Sequence, residues 1–267
     1  MSSAVSIIAM VLTLVGVWNI EGTTSAPRPH DAQKRDVSFG DSFREVWREP
    51  AARRFAIFIF ISMLAYSAQD LILEPFAGVV FGMTPGETTQ LSGVQHTGAL
   101  TGMLLVPVIN MLMPAWRART TPWIIAGCLA SALALASLAL AALVGPPWPL
   151  RLSVLMLGVT NGVYAIAAIG AMMDLVDSGH RDREGMRMGM WGAAQAISFG
   201  IGGFIGTLAS DAARHALPSL SLAYAFVFAA EAGLFVLAAR LAARIARPAA
   251  TKHQAGPMRP ASQGAMT

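Results

Sequence analysis

Tyr66, Asp70 and Glu74 recur every four residues in the apolar run RRFAIFIFISMLAYSAQDLILEPFAGVVFGM, so on a helix they share one face. An ionisable group inside such a run is costly unless it is hydrated, paired or used. The stripe is therefore either a hydrated contact face or a binding or gating cluster. Counting about 1.5 Å per residue from Arg54 puts Asp70 about 24 Å and Glu74 about 30 Å along the helix. There Glu74 reaches water and Asp70 needs a partner, and Pro75 is expected to end or bend the helix just beyond. The next run, GETTQLSGVQHTGALTGMLLVPVIN, returns from the same side with Thr88 or Thr89 as its expected N-cap. Gln95 and His96 then lie about 10 Å deep, where His96 could meet Asp70. A lone imidazole in a membrane helix is often a hydrogen-bond partner for another helix. Gly98, Thr101 and Gly102 beside it allow a flat ligand or another helix to come close, and Pro107 kinks the inner half.

Other polar residues carry weaker signals. Asn161 and Gln195 are polar groups within apolar runs and could face a cavity. Asp174 and Asp177, with Arg181 and Arg183 in DSGHRDREGMR, read as a solvated cytoplasmic charge network. In MGMWGAAQAISFGIGGFIG the small residues Gly192, Ala196 and Gly200, then Gly202 and Gly206, follow the four-residue spacing of close helix packing. The single cysteine, Cys128, leaves no disulfide framework and no zinc spacing. GxSxG, GxxxxGK[ST] and HExxH are all absent from the sequence, so no enzyme is expected.

The elements that must position these residues follow from composition. Of 267 residues 55% are apolar and 13% charged, against a usual charged share of about 25%, which excludes a soluble globular enzyme and points to a membrane protein. Seven apolar runs span residues 4–20, 54–81, 91–115, 122–144, 149–175, 188–209 and 221–241. The loops between them alternate strictly in charge, with 17 of the 19 Lys and Arg residues on one side. By the positive-inside rule the N-terminus is outside and the C-terminus cytoplasmic. No basic residue precedes the first run, so it reads as a transmembrane helix and not as a cleaved signal. The expected organisation is a helix at 1–20, a cytoplasmic loop at 21–53, a six-helix bundle at 54–246 and a disordered tail at 247–267. Within the loop Phe39, Phe43, Val46 and Trp47 share a face, as in an amphipathic helix lying at the membrane surface or docked on protein. The basic excess belongs to this topology and not to nucleic-acid binding.

Residues 62–103, with QDLILEPF, GMTPGETT and QH, resemble the PucC/LhaA family, as do residues 167–203, with MMDL and MGMWGAAQA, and residues 39–54, ending REPAARRF. These are bacteriochlorophyll-delivery relatives of the major facilitator superfamily that assist antenna assembly in phototrophic bacteria. The loop MPAWRART lacks the GxxxDRxGRR pattern of sugar and drug transporters. The resemblance implies an all-α membrane protein of about seven transmembrane helices: the C-terminal half of a facilitator fold with one preceding helix, hence a partial-length member. It implies a light-harvesting assembly factor of the bacterial inner, or intracytoplasmic, membrane that binds or delivers bacteriochlorophyll. Its pigment-binding residues would be His96, Gln95, Asp70, Glu74 and Tyr66. His96 would ligate the pigment magnesium, with Asp70 or Gln95 orienting its other nitrogen. The implied partners are the lipid bilayer, antenna polypeptides, and a second half or a second copy of the chain. Two other readings stay open: a proton-coupled small-solute transporter with Asp70 and Glu74 titrating, and a pigment-free scaffold for antenna polypeptides.

Overall fold

The computed structural model describes residues 10–11, 39–113, 120–177, 184–217 and 219–245, and among them every regular element is a helix. The chain divides into two compact units, Met1–Ser42 and Phe43–Thr267. In the first unit the description covers residues 10–11, which are helical, and the start of α1; most of the expected first span and the loop at 21–37 lie outside it. So does the tail at 247–267. The helices are α1 (Phe39–Arg48), α2 (Pro50–Phe81), α3 (Pro85–Leu112), α4 (Thr120–Val144), α5 (Leu150–Asp177), α6 (Glu184–Ala216) and α7 (Leu220–Ile245).

Five of them, α2, α4, α5, α6 and α7, are long and apolar enough to cross a membrane. Helix α3 has 28 residues, a sufficient length, but Gln90, Gln95, His96 and four threonines make it more polar than those five. Two details of the helix ends stand out. Of the two outcomes expected at Pro75, an end or a bend, the helix does not end there: α2 runs on to Phe81 and stops where Gly82 takes φ 67°, a left-handed conformation that glycine adopts without steric cost. The N-cap of α3 is Thr84 and not Thr88 or Thr89. There the sequence Thr-Pro-Gly-Glu builds a capping box, with Pro85 pre-set for the first turn. The Thr84 N–H donates to Glu87 Oε2 at 2.8 Å and its hydroxyl to the same oxygen at 2.9 Å. These two bonds hold the exposed Glu87 carboxyl below the usual glutamate range.

The long helices pack as a crescent in the order α3, α5, α4, α7, α2, α6, and α2 and α3, though consecutive in the chain, touch only slightly. Aromatic rings fill the inner side: Phe55 meets Trp191, Tyr164 meets Phe58 and Phe235, and Phe76 meets Phe228 with centroids 4.9 Å apart. At the basic end Arg187 of α6, almost fully buried, pairs with Glu49 at 2.6 Å and ties the α1–α2 junction to α6.

The tightest seam joins α3 to α5. A Cβ placed on Gly98 would fall 2.5 Å from the Leu155 carbonyl oxygen, and one on Gly102 would overlap that of Val159. Reciprocally, Gly158 and Gly162 sit against the carbonyls of Gln95 and Ala99. The space at Gly98 and Gly102 is thus taken by another helix, not by a flat ligand. On α6 the seam against Leu64, Ser67 and Ala68 uses Gly202 and Gly206, whereas Gly192 and Gly200 face open space and their expected packing is not found. Gly102→Val should therefore destabilise the bundle by about 2–3 kcal/mol through overpacking against backbone. Gly192→Ala should leave the melting temperature unchanged or raised. Thermal melts of the detergent-purified variants, followed by helical signal, check both.

Candidate functional site

Three polar groups lie at one depth because their helices are measured from the same end. Asp70 stands 11 residues before the end of α2, Gln95 10 residues into α3 and Glu231 11 residues into α7. At about 1.5 Å per residue each is about 15–17 Å from that end, near the middle of a hydrocarbon layer about 30 Å thick.

Asp70 and Gln95 meet: Gln95 Nε2 donates to Asp70 Oδ1 at 2.8 Å. One turn outward, the Ser92 hydroxyl donates to Glu74 Oε1 at 2.8 Å. These two side-chain bonds bridge α2 to α3 where the backbones stand apart. Tyr66, on the same stripe of α2, faces α6, its ring centroid 6.0 Å from that of Phe199.

His96 does not hydrogen-bond to Asp70 or Gln95, the orienting groups expected for it. Its Nδ1 lies 2.7 Å from the carbonyl oxygen of Ser92. A carbonyl only accepts, so Nδ1 carries the proton and a neutral ring keeps its lone pair on Nε2. The ring is exposed, on the same helical line as Leu100 and Leu104, which are 59% and 58% exposed. Thr97 and Thr101 turn their hydroxyls back to the carbonyls of Gly93 and Thr97 at 2.8 Å, so this face shows methyl groups and leucine around the His96 Nε2, which has no hydrogen-bond partner among the described residues. Asp70 stays within electrostatic reach of His96.

Glu231 escapes the sequence reading, although it is the one acid in SLAYAFVFAAEAGLFVLAA and the argument applied to Asp70 holds for it equally. It is 3% exposed, and neither carboxyl oxygen has a partner among the described residues. Gln69, beside Asp70 on α2, is 1% exposed with both amide atoms unpartnered. The carboxyls of Glu231 and Asp70 are near enough to interact electrostatically.

The remaining candidates separate from this cluster. Asn161 is buried in the α4–α5 seam, where its Oδ1 accepts a bond from the Ser131 hydroxyl at 2.9 Å and its Nδ2 has no partner among the described residues. Gln195 is exposed on α6. Asp174 accepts from the Thr120 hydroxyl at 2.9 Å. Arg181 and Arg183 lie outside the described residues, as does the side chain of Asp177, so the charge network is not described.

The two kinds of buried polar group should respond oppositely to mutation. Gln95→Leu takes the hydrogen-bond donor from Asp70 and should cost about 1–3 kcal/mol. Glu231→Met removes an uncompensated polar group at similar volume and should raise the melting temperature. Melts of the two variants beside the unsubstituted chain test this.

Residues 1–250 match the family model described as PUCC protein. A protein named Bacteriochlorophyll synthase 44.5 kDa chain, from Rhodobacter capsulatus, is 48% identical over 88% of this chain and 53% of its own length. One named Uncharacterized protein in puhA-bchM intergenic region, also from Rhodobacter capsulatus, is 30% identical over 90% of this chain and 50% of its own. Protein PucC of Cereibacter sphaeroides is 28% identical over 88% of this chain and 50% of its own. The chain spans about half the length of these relatives. No solved structure matches. With an all-helical membrane fold and a family model covering almost its whole length, the chain belongs to the PucC family.

Proposed function

We propose that this chain handles bacteriochlorophyll during assembly of photosynthetic antenna complexes, and that His96 holds the pigment. The observation that carries this reading is the hydrogen bond from His96 Nδ1 to the Ser92 carbonyl, which leaves Nε2 free on an exposed apolar face. The pigment would supply a magnesium ion able to take a nitrogen ligand, and His96 Nε2 would provide it. The residues of this chain would orient the imidazole, through Ser92, and present Leu100 and Leu104 to the macrocycle. Gln95, Asp70, Glu74 and Tyr66 would form the polar border of the site on the α2 side. The names of two relatives, Bacteriochlorophyll synthase 44.5 kDa chain and Protein PucC, support a role around this pigment. The role is proposed as non-catalytic, in keeping with the absence of catalytic motifs from the sequence. Its setting is a bacterial inner membrane and its partners are antenna polypeptides, with a second half or a second copy of the chain completing the bundle.

His96→Leu should lose at least about tenfold in bound pigment, the order expected when a metal loses a ligand group, while Thr101→Val retains it. Pigment-to-protein ratios after mild detergent extraction from a pigmented host decide the matter. Equal ratios for His96→Leu and the unsubstituted chain would remove His96 from the site.

A second reading, proton-coupled solute transport, draws support from Glu231, an unpartnered buried carboxyl near Asp70. Proton uptake that accompanies solute entry into vesicles and disappears in Glu231→Gln would favour it.

The proposed orientation is N-terminus outside, following the distribution of basic residues. A cysteine at Ser25 should react with an impermeant thiol reagent only from the cytoplasmic face, and one at the exposed Thr89 only from the outer face. The opposite pattern would reverse the topology.

A further inference from the structure

At the basic end of the second unit, remote from the His96 face, α1, α2 and α6 enclose a groove of about 550 Å³. Phe43 and Trp47 form one wall, stacked with centroids 6.0 Å apart. Ile57 and Phe60 of α2 form another, and Ala194 and Ile197 of α6 the third. Its lining is apolar throughout. The volume lies in the range of pockets that bury most of a small ligand, and the apolar lining suits hydrocarbon.

The charges around it say what the chain would be attached to. Phe60 and Ile57 lie on a line of α2 that reaches Arg53 one turn further toward the basic end, and Arg53 is exposed. Arg54 follows it, and Arg48 closes α1 across the junction; both are exposed. The acid between them, Glu49, is already paired with Arg187, so it does not cancel these charges. A hydrocarbon slot that ends beside the exposed Arg53 and Arg54 at the basic, cytoplasmic end matches a molecule with an acyl chain joined to an anionic head.

We propose that this groove is a binding site for one anionic phospholipid of the inner leaflet, with an acyl chain between Trp47, Phe60 and Ile197 and the phosphate at Arg53. The site does not depend on the pigment reading, since it shares no residue with the His96 face.

The test uses the full chain in detergent, titrated with phosphatidylglycerol or with phosphatidylcholine of the same acyl chains, and reads bound lipid by native mass spectrometry. The unsubstituted chain should retain one phosphatidylglycerol with about fivefold preference over phosphatidylcholine, the scale of one arginine near an anionic surface. Arg53→Gln should keep the chain-dependent binding and lose the preference. Ala194→Phe, which fills the groove, should bind neither lipid tightly while its melting temperature stays that of a folded bundle; should it fail to fold, Ile57→Trp blocks the opposite wall. Equal binding of the two lipids by the unsubstituted chain would overturn the proposal. So would phosphatidylglycerol binding that survives both groove-filling variants, or a dimer that excludes lipid from the groove.

Discussion

The whole candidate site hangs on how closely α3 and α5 approach. Helix α3 carries Gln95 and His96, yet it meets α2 mainly through two side-chain hydrogen bonds. What holds it in the bundle is the seam in which Gly98 and Gly102 lie against the backbone of α5, and Gly158 and Gly162 lie against the backbone of α3. In an apolar solvent there is little hydrophobic gain in pressing two helices together, so association rests on close contact between surfaces and on polar pairs. Four glycines provide that contact. With the seam set, Gln95 on one side of α3 reaches Asp70, while His96, one residue on, faces outward.

Polar groups in the bundle fall into two classes, and the division carries the functional argument. Most are satisfied locally: Tyr164 donates to the Ser62 hydroxyl at 2.6 Å, Ser62 to the Phe58 carbonyl at 2.7 Å, and Ser131 to Asn161. These fasten helices to one another and themselves. Glu231 and Gln69 are different, being deeply buried with no partner among the described residues, as are the Trp191 Nε1 and the Tyr224 hydroxyl. Uncompensated burial lowers stability, most of all for a carboxyl group, which makes Glu231 the costliest of these.

Much of this was legible in the sequence because membrane helices announce themselves by length and polarity. The six long helices coincide with six of the seven apolar runs, and the shared depth of Asp70 and Gln95 follows from a short loop between two helices. The N-cap was misplaced by one turn, since Thr88 and Thr89 compete with Thr84 on residue type and only the Glu87 side chain, folding back, distinguishes them. The small residues of α6 read as two packing sets, but which face of a helix meets a neighbour is decided by the neighbour, and α2 meets Gly202 and Gly206 and not Gly192 and Gly200. Glu231 was missed for want of a pattern: it stands alone, whereas Asp70 drew notice as one of three. The burial of Arg187 is not legible either, because nothing in a sequence tells a loop arginine from one that pairs with Glu49, far away in the chain.

The central claim is that His96 presents an unprotonated Nε2 as a ligand. Nitrogen NMR of ¹⁵N-histidine-labelled protein, with His96→Gln to assign the signal, reads this directly. The account predicts a neutral ring protonated at Nδ1, whose Nε2 resonance shifts when bacteriochlorophyll is added. A ring protonated at Nε2, or an Nε2 signal that pigment leaves unmoved, would contradict it.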